Sequence, residues 1–306
     1  MRITQNMMAT NVVNNLQKDY QSLQTSQNQL DTGYAVTQPS DDPLATSQIL
    51  GLNTSISTQS MYYSNMQTAS SDLTITSTAL SNMVSDLQQI RSLTVEGANG
   101  TESQSDLAAL EQEVNQVIGN IVQVGNTANG TENYIFGGTK TNSAPLTAVT
   151  SGSVITSVSY SGNSGSINFE IAQGVKVATN INGNDLFQVS ASGTSTMFET
   201  LITVSKDMLQ SGASSGLSDM LSKIDSVLSN VETQQATVGA MQDRLTEAMT
   251  MNENDKTAMT TNLDNLQDVD VDQATIIFSE KSNVYQAALE VAAKVLKSSL
   301  ADYLDT

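Results

Sequence analysis

Asp268, Asp270 and Asp272 alternate with the spacing of the first ligands of a calcium-binding loop. Such a loop needs Gly at its sixth position and Glu at its twelfth. Counted from Asp268, those positions hold Gln273 and Ser279. A solvated acidic linker, with negative charge at a helix start, is the better reading. Asp41-Asp42 suits a helix start in the same way. The glycines at 137–138 and 161–165 are not followed by Lys-Ser or Lys-Thr in phosphate-loop spacing, nor do they open a helix as a dinucleotide fingerprint. Two acids could meet as a glycosidase pair, but nothing in the chain selects two. No catalytic residue, cofactor or metal ligand is assigned.

Composition narrows the chemistry further. The 306 residues include no Cys and no His, so disulfides, thiol nucleophiles, zinc fingers and the usual base of a serine triad are excluded. Twelve Lys and Arg against 31 Asp and Glu leave a formal charge of −19. No basic residue lies between Lys18 and Arg91, which is unsuited to a phosphate backbone, and nucleic acid is not an expected partner. No stretch reaches the length of a membrane span, so membrane insertion is not expected. The start, Met1-Arg2-Ile3-Thr4, lacks the apolar stretch of a cleaved signal peptide. Thirteen Met suit pliable helix–helix contacts.

The elements that must position these residues are mostly helices. Val13, Leu16, Tyr20, Leu23, Gln27 and Leu30 fall at alternating steps of three and four, a seam of period 3.5 that ends at Gly33. This seam fits an amphipathic helix of its own domain as well as one strand of a coiled coil. Pro39-Ser40-Asp41-Asp42-Pro43 then forbids a continuous helix. Ser40 or Asp41 is expected to cap the next helix, with Pro43 in its first turn. From Leu44 to about Gly97 the helical period recurs at Leu73, Leu80, Val84, Leu87, Ile90 and Leu93, a helix of about 80 Å. Asn-Gly-Thr-Glu occurs at 99–102 and again at 129–132. The two copies read as turns bracketing a shorter helix with Leu107, Leu110, Val114, Val117, Ile121 and Val124 on one face.

From Tyr134 to about Val189 the texture changes to short β-branched runs split by glycines, at Val154–Tyr160, Ser166–Ile171 and Val175–Val177. Helix resumes near Thr196. After Gly212 to Gly216 it runs from Leu217 to about Leu263, with Leu221, Ile224, Leu228, Val231, Val238, Met241, Leu245, Met249 and Asn252 on one face. An acidic link follows from Asp264 to Asp272. The last helix carries Ile277, Val284, Ala288, Val291 and Val295 on one row, and Tyr285, Leu289, Ala292, Leu296 and Leu300 on the next. That face is more apolar than a lone terminal helix should show to water.

The expected fold is mainly α with a β-rich insertion: a long antiparallel helical bundle, terminal coiled-coil helices and a small antiparallel β module in the middle. Five segments are expected: 1–43, an assembly helix and linker; 44–133, the first part of a helical rod; 134–195, the β-rich outer domain; 196–263, the second part of the rod; and 264–306, a linker and second assembly helix. The two terminal seams, Val13, Leu16, Tyr20, Leu23 and Leu30 with Ile277, Val284, Ala288, Leu289, Val291, Val295, Leu296 and Leu300, are expected to pair and then pack against copies of themselves.

Several stretches carry a resemblance. Met1-Arg2-Ile3-Thr4, the segment Val36–Ala45 around Pro39-Ser40-Asp41-Asp42-Pro43, Tyr134-Ile135-Phe136-Gly137-Gly138-Thr139-Lys140-Thr141, Tyr160-Ser161-Gly162-Asn163, Gly183-Asn184-Asp185-Leu186-Phe187 and the end from Tyr285 to Leu304 are similar to the bacterial flagellin superfamily. The resemblance implies a structural, non-enzymatic subunit of the flagellum. It implies export without a cleaved signal through the flagellar type III channel, a cytoplasmic chaperone on the C-terminal helix, and an extracellular place in the flagellum. Where filament flagellins carry Arg-Ile-Asn-Ser before the paired aspartates, this chain has Val36-Thr37-Gln38-Pro39-Ser40, and it ends Tyr303-Leu304-Asp305-Thr306. These departures imply a ring of copies at the hook–filament junction, between the first hook-associated junction protein and flagellin. The filament subunit itself is the alternative. A surface adhesin or enzyme built on residues 134–189 is the remaining one.

Overall fold

The computed structural model describes residues 5–99, 102–130, 133–190, 193–210 and 213–304, with the side chains of 5–6, 213–215 and 295–304 excepted. The start Met1–Thr4, Gly100, Thr101, Thr131 and Glu132 of the two stretches expected as turns, Gly212 and the end Asp305-Thr306 lie outside it. So do the side chains of Val295, Leu296 and Leu300. Within it, α1 spans Gln5–Thr32, α2 Pro43–Ala98 and α3 Gln104–Gly125. The strands β1 (Leu146–Ser151), β2 (Val154–Tyr160), β3 (Asn168–Ala172) and β4 (Val175–Ala178) follow, then α4 (Gly183–Leu186), α5 (Thr196–Met208), α6 (Ala213–Gln267) and α7 (Val271–Leu304). The fold is the expected one: mainly helical, with a small antiparallel strand module in the middle.

Local chemistry accounts for the boundaries. Gly33 stops α1 at φ +74°, where a side chain would be strained, and its N–H closes on the Gln29 carbonyl at 2.9 Å. The cap of α2 is Asp42, in place of the expected Ser40 or Asp41. Its Oδ1 accepts from the N–H of Leu44 at 2.9 Å and of Ala45 at 3.0 Å, with Pro43 as the first helical residue. A capping box starts α3, in which Ser103 and Asp106 accept from each other's backbone. Later in the chain α6 begins at Ala213, ahead of Gly216, and runs on to Gln267. The acidic link is therefore shorter than its composition suggests. Asp270 caps α7 by accepting from Asp272 and Gln273, both at 3.1 Å.

The chain divides into two compact units, Met1–Thr58 with Asn254–Thr306, and Gln59–Glu253. In the central unit one core draws on α2, α3, α5, α6 and the strands. The expected apolar rows supply most of it. Val84, Leu110, Val124, Leu221, Leu228, Met241 and Met249 are only partly buried, while Met66, Met83 and Val227 join the interior. Arg91 on α2 meets Asp225 on α6 at 2.6 Å, an exposed pair with little weight for stability.

The strands form two hairpins, β1 with β2 and β3 with β4, each with one register irregularity. The run at 146–151, which follows Pro145, was not legible as a strand, because its alternation is short. Between the hairpins, three of the glycine-rich motifs meet. The Tyr160 hydroxyl donates to the Phe136 carbonyl at 2.9 Å, and burial pushes its pKa up to about 12. Asn163 Oδ1 accepts from the N–H of Thr139 at 2.8 Å and of Gly165 at 3.1 Å. A Cβ at Gly183 would collide with the Phe136 carbonyl and the Tyr160 ring. Phe187 lies fully buried, its ring centre 5.9 Å from those of Phe136, Tyr160 and Phe198.

Candidate functional site

The terminal unit holds the residues expected to drive assembly. There α1 and α7 pack together, and the contacts set them antiparallel. Lys281 Nζ donates to Ser26 Oγ at 2.7 Å, and one turn further on Tyr20 lies against Tyr285 with ring centres 5.8 Å apart. Backbone bonds tie the two linkers together. The Ala35 N–H donates to the Gln267 carbonyl at 2.7 Å, and the Val269 N–H to the Gly33 carbonyl at 2.9 Å, around an antiparallel bridge between Tyr34 and Asp268.

The pairing uses only part of each expected seam. On α1, Leu16, Leu23 and Leu30 are half-buried and Ser26 is buried, whereas Val13 and Tyr20 are exposed. Among the described side chains of α7, a less exposed row runs through Ala274, Phe278, Lys281, Tyr285, Ala288 and Ala292, at steps of four and three, with Ser282 beside it. Of the expected seam residues with described side chains only Ala288 falls on that inner row, where Tyr285 and Ala292 of the second apolar row join it. Ile277, Val284, Leu289 and Val291 face outward, at 37%, 51%, 44% and 56% exposure. The inner row mixes small side chains at 274, 288 and 292 with large ones at 278, 281 and 285, and the branched side chains are left outside. Sequence reasoning missed Ala274, Phe278, Lys281 and Ser26, because Ala, Lys and Ser do not stand out as seam residues. Their 4–3 spacing was the available signal.

Among the polar residues that remain outward on this helix pair are apolar side chains, and the net charge is small. Ile277, Val284 and Val291 recur every seven residues on α7, and Met7, Met8, Val13 and Tyr20 are exposed on α1. Lys18 stands against Asp19 and Asp31 on α1. On α7, Lys281, Lys294 and Lys297 stand against Asp272, Glu280, Glu290 and Asp302. Each helix therefore carries about −1 of the −19, and the acidity belongs to the rest of the chain.

The linker motif is exposed and self-bonded. Asp41 Oδ2 accepts from the Thr37 N–H at 3.2 Å, the Thr37 hydroxyl at 2.9 Å and the Gln38 N–H at 3.1 Å, while Oδ1 accepts from Gln38 Nε2 at 3.1 Å. Its slight burial would raise the pKa of the carboxyl. The hydrogen bonds from Gln38 and Thr37 outweigh that and hold the group below its ordinary value of 3.8. The carboxylate therefore steadies the turn above pH ~4 and stops doing so as pH falls through its lowered pKa. Asp41→Ala is expected to remove amide-exchange protection at Thr37 and Gln38 at pH 7. Unchanged protection factors would show that the prolines alone hold the turn.

Among the described residues no group of three or more Asp and Glu could hold a metal ion, and no helix is long and apolar enough to cross a membrane. Asp268, Asp270 and Asp272 sit in and beside the linker bridge, with Asp270 serving as a helix cap.

Comparison with known proteins bears on both ends of the chain. The bacterial flagellin N-terminal helical region matches residues 3–141, and the bacterial flagellin C-terminal helical region matches residues 221–304. The flagellar hook-associated protein 3 of Salmonella typhimurium is 30% identical over 152 residues, 50% of this chain and 48% of that protein. A flagellin of Clostridium tyrobutyricum is 31% identical over 147 residues, 46% of this chain and 37% of that one. The chain thus spans about half the length of these relatives or less. Among solved structures, the flagellar junction protein of Legionella pneumophila shares the fold, with a TM-score of 0.61 at 16% identity over 72% of this chain and 99% of that one.

Proposed function

The chain belongs to the bacterial flagellin family, and on that premise we propose that it is a structural adaptor of the flagellum, seated between a hook-side junction protein and the flagellin filament. The observation that carries this reading is the outward row of Ile277, Val284 and Val291, set on a helix pair with little net charge. An apolar heptad row on a paired helix is half of a coiled-coil seam and needs a further helix to cover it. Copies of the same chain, arranged as a ring, supply that helix from their own α1 and α7. Here the binding energy comes from burial of branched side chains, and no step requires a catalytic group or a cofactor.

Export in this reading proceeds from the cytoplasm without a cleaved signal. The same outward row of α7 is then the surface a cytoplasmic export chaperone shields before assembly. The similarity to flagellins favours one second reading, the filament subunit itself. Immunolabelling separates the two. One label per hook end supports the adaptor, and label along whole filaments selects the filament subunit. Deletion of the gene is expected to leave hooks without filaments while flagellin is secreted into the medium. Normal filaments in the deletion strain would end the proposal.

A further inference from the structure

One polar layer in the central unit has no part in that function. Asn252 on α6 is 5% exposed, on the face that also carries the buried Val238 and Leu245. Its Nδ2 donates to Gln59 on α2 twice, to Oε1 at 2.9 Å and to the backbone carbonyl at 3.2 Å. Its Oδ1 is the one buried side-chain oxygen or nitrogen without a hydrogen-bond partner among the described residues. The neighbouring seam positions on α2, Tyr62 and Met66, are buried. Gln59 itself is half-buried and within reach of water. In sequence, Gln59 and Asn252 also stand at the beginning and the end of the central unit, which runs from Gln59 to Glu253.

A buried amide with an unfilled acceptor is a poor way to stabilise a seam. A leucine has the same branching and carries no desolvation cost. An asparagine in an apolar helical seam does something else: it is satisfied only when its partner lies opposite, so it penalises every other alignment. The long helices α2 and α6 present extended apolar rows, and such rows would also accept a shifted register, within one chain or against a second copy. Out of register Asn252 would lie away from Gln59, with both its polar atoms buried and unpaired.

We propose that the Asn252–Gln59 layer is a pairing-specificity element, which confines α6 to this register on α2 and disfavours out-of-register association with the helices of another copy. The layer trades stability for a single register. Because Asn252 is buried and Gln59 reaches solvent, the two positions respond oppositely to substitution.

The test uses the full chain, with thermal unfolding and sedimentation velocity on each variant. Asn252→Leu is expected to raise the midpoint of the central unit by about 3 °C, since it removes the unfilled acceptor and leaves Gln59 free to turn to water. Asn252→Val, which is smaller, guards against overpacking and should also equal or exceed the parent chain. Gln59→Leu is expected to lower the midpoint by a similar amount, because it leaves the Asn252 side chain more fully unpaired. The double variant should lie above the parent chain and populate dimers at concentrations where the parent does not. Midpoints below the parent for both Asn252 variants would show that the layer simply stabilises the seam. A raised midpoint with the parent's oligomeric state would remove the specificity role. Either result overturns the proposal.

Discussion

Val291→Asp is expected to leave the folded chain intact and to abolish its incorporation into the flagellum. Val291 is 56% exposed, and it does not lie on the inner row through which α7 meets α1. A charge there meets water in the single chain, so the stability change should stay within about 0.5 kcal/mol. In an assembly that covers the row of Ile277, Val284 and Val291, the same carboxylate is taken out of water. Burying an unpaired charge costs several kcal/mol per site, and in a ring the cost recurs at every copy. Gln286→Asp puts the same charge on an exposed part of α7 away from that row and serves as the control. Swimming assays with electron microscopy of hooks should show the first variant without filaments and the second with them. Normal motility with Val291→Asp would exclude the outward row as an assembly surface.

The second large effect concerns the fold. Phe187→Ala is expected to destabilise the central unit by about 3–5 kcal/mol, the usual range for removing a fully buried Phe. The ring is 0% exposed and touches three other aromatic rings at 5.9 Å. Gly125 of α3 also packs against it, where a Cβ would lie 3.2 Å from the Phe187 ring. The cavity would be walled by Phe136, Tyr160 and Phe198. Tyr160 is in turn held by its hydroxyl bond to the Phe136 carbonyl, so the site cannot collapse freely. Chemical denaturation followed by tyrosine fluorescence reads the loss. A change below about 1 kcal/mol would mean that the aromatic cluster is not the joint between the strands and the helices. The two variants dissociate what the sequence combines: one should fail to assemble while folding, the other should fail to fold well whatever its surface.

The stretches that carried the family resemblance turn out to have different physical jobs. Tyr134–Thr141, Tyr160–Asn163 and Gly183–Phe187 converge on one knot, in which the glycines are required by close approach of backbone and ring. Asp41 and Asp42 split their work. One closes its own turn and the other caps α2, a division that the pair Asp-Asp could not reveal by itself. The rows read along α2, α3 and α6 were largely the core rows, because those helices are covered on a wide face and a period of 3.6 is then easy to see. Asn252 was legible as a seam position and illegible as a polar layer, since its partner lies 193 residues away.

At the ends of the chain the sequence determined that two apolar helices exist, where they stop and that they carry little charge, because spacing, Gly33, the prolines and the acids act locally. It also determined the absence of thiol and imidazole chemistry, which follows from composition alone. Only the tertiary structure decided which face of each terminal helix is spent inside the molecule. Two overlapping rows on α7 are equally apolar in one dimension. The choice between them rests on the partners that α1 offers: Ser26 accepts from the Lys281 ammonium and Tyr20 lies against Tyr285. That row therefore turns inward with Ala274, Ala288 and Ala292, and Ile277, Val284 and Val291 remain outside.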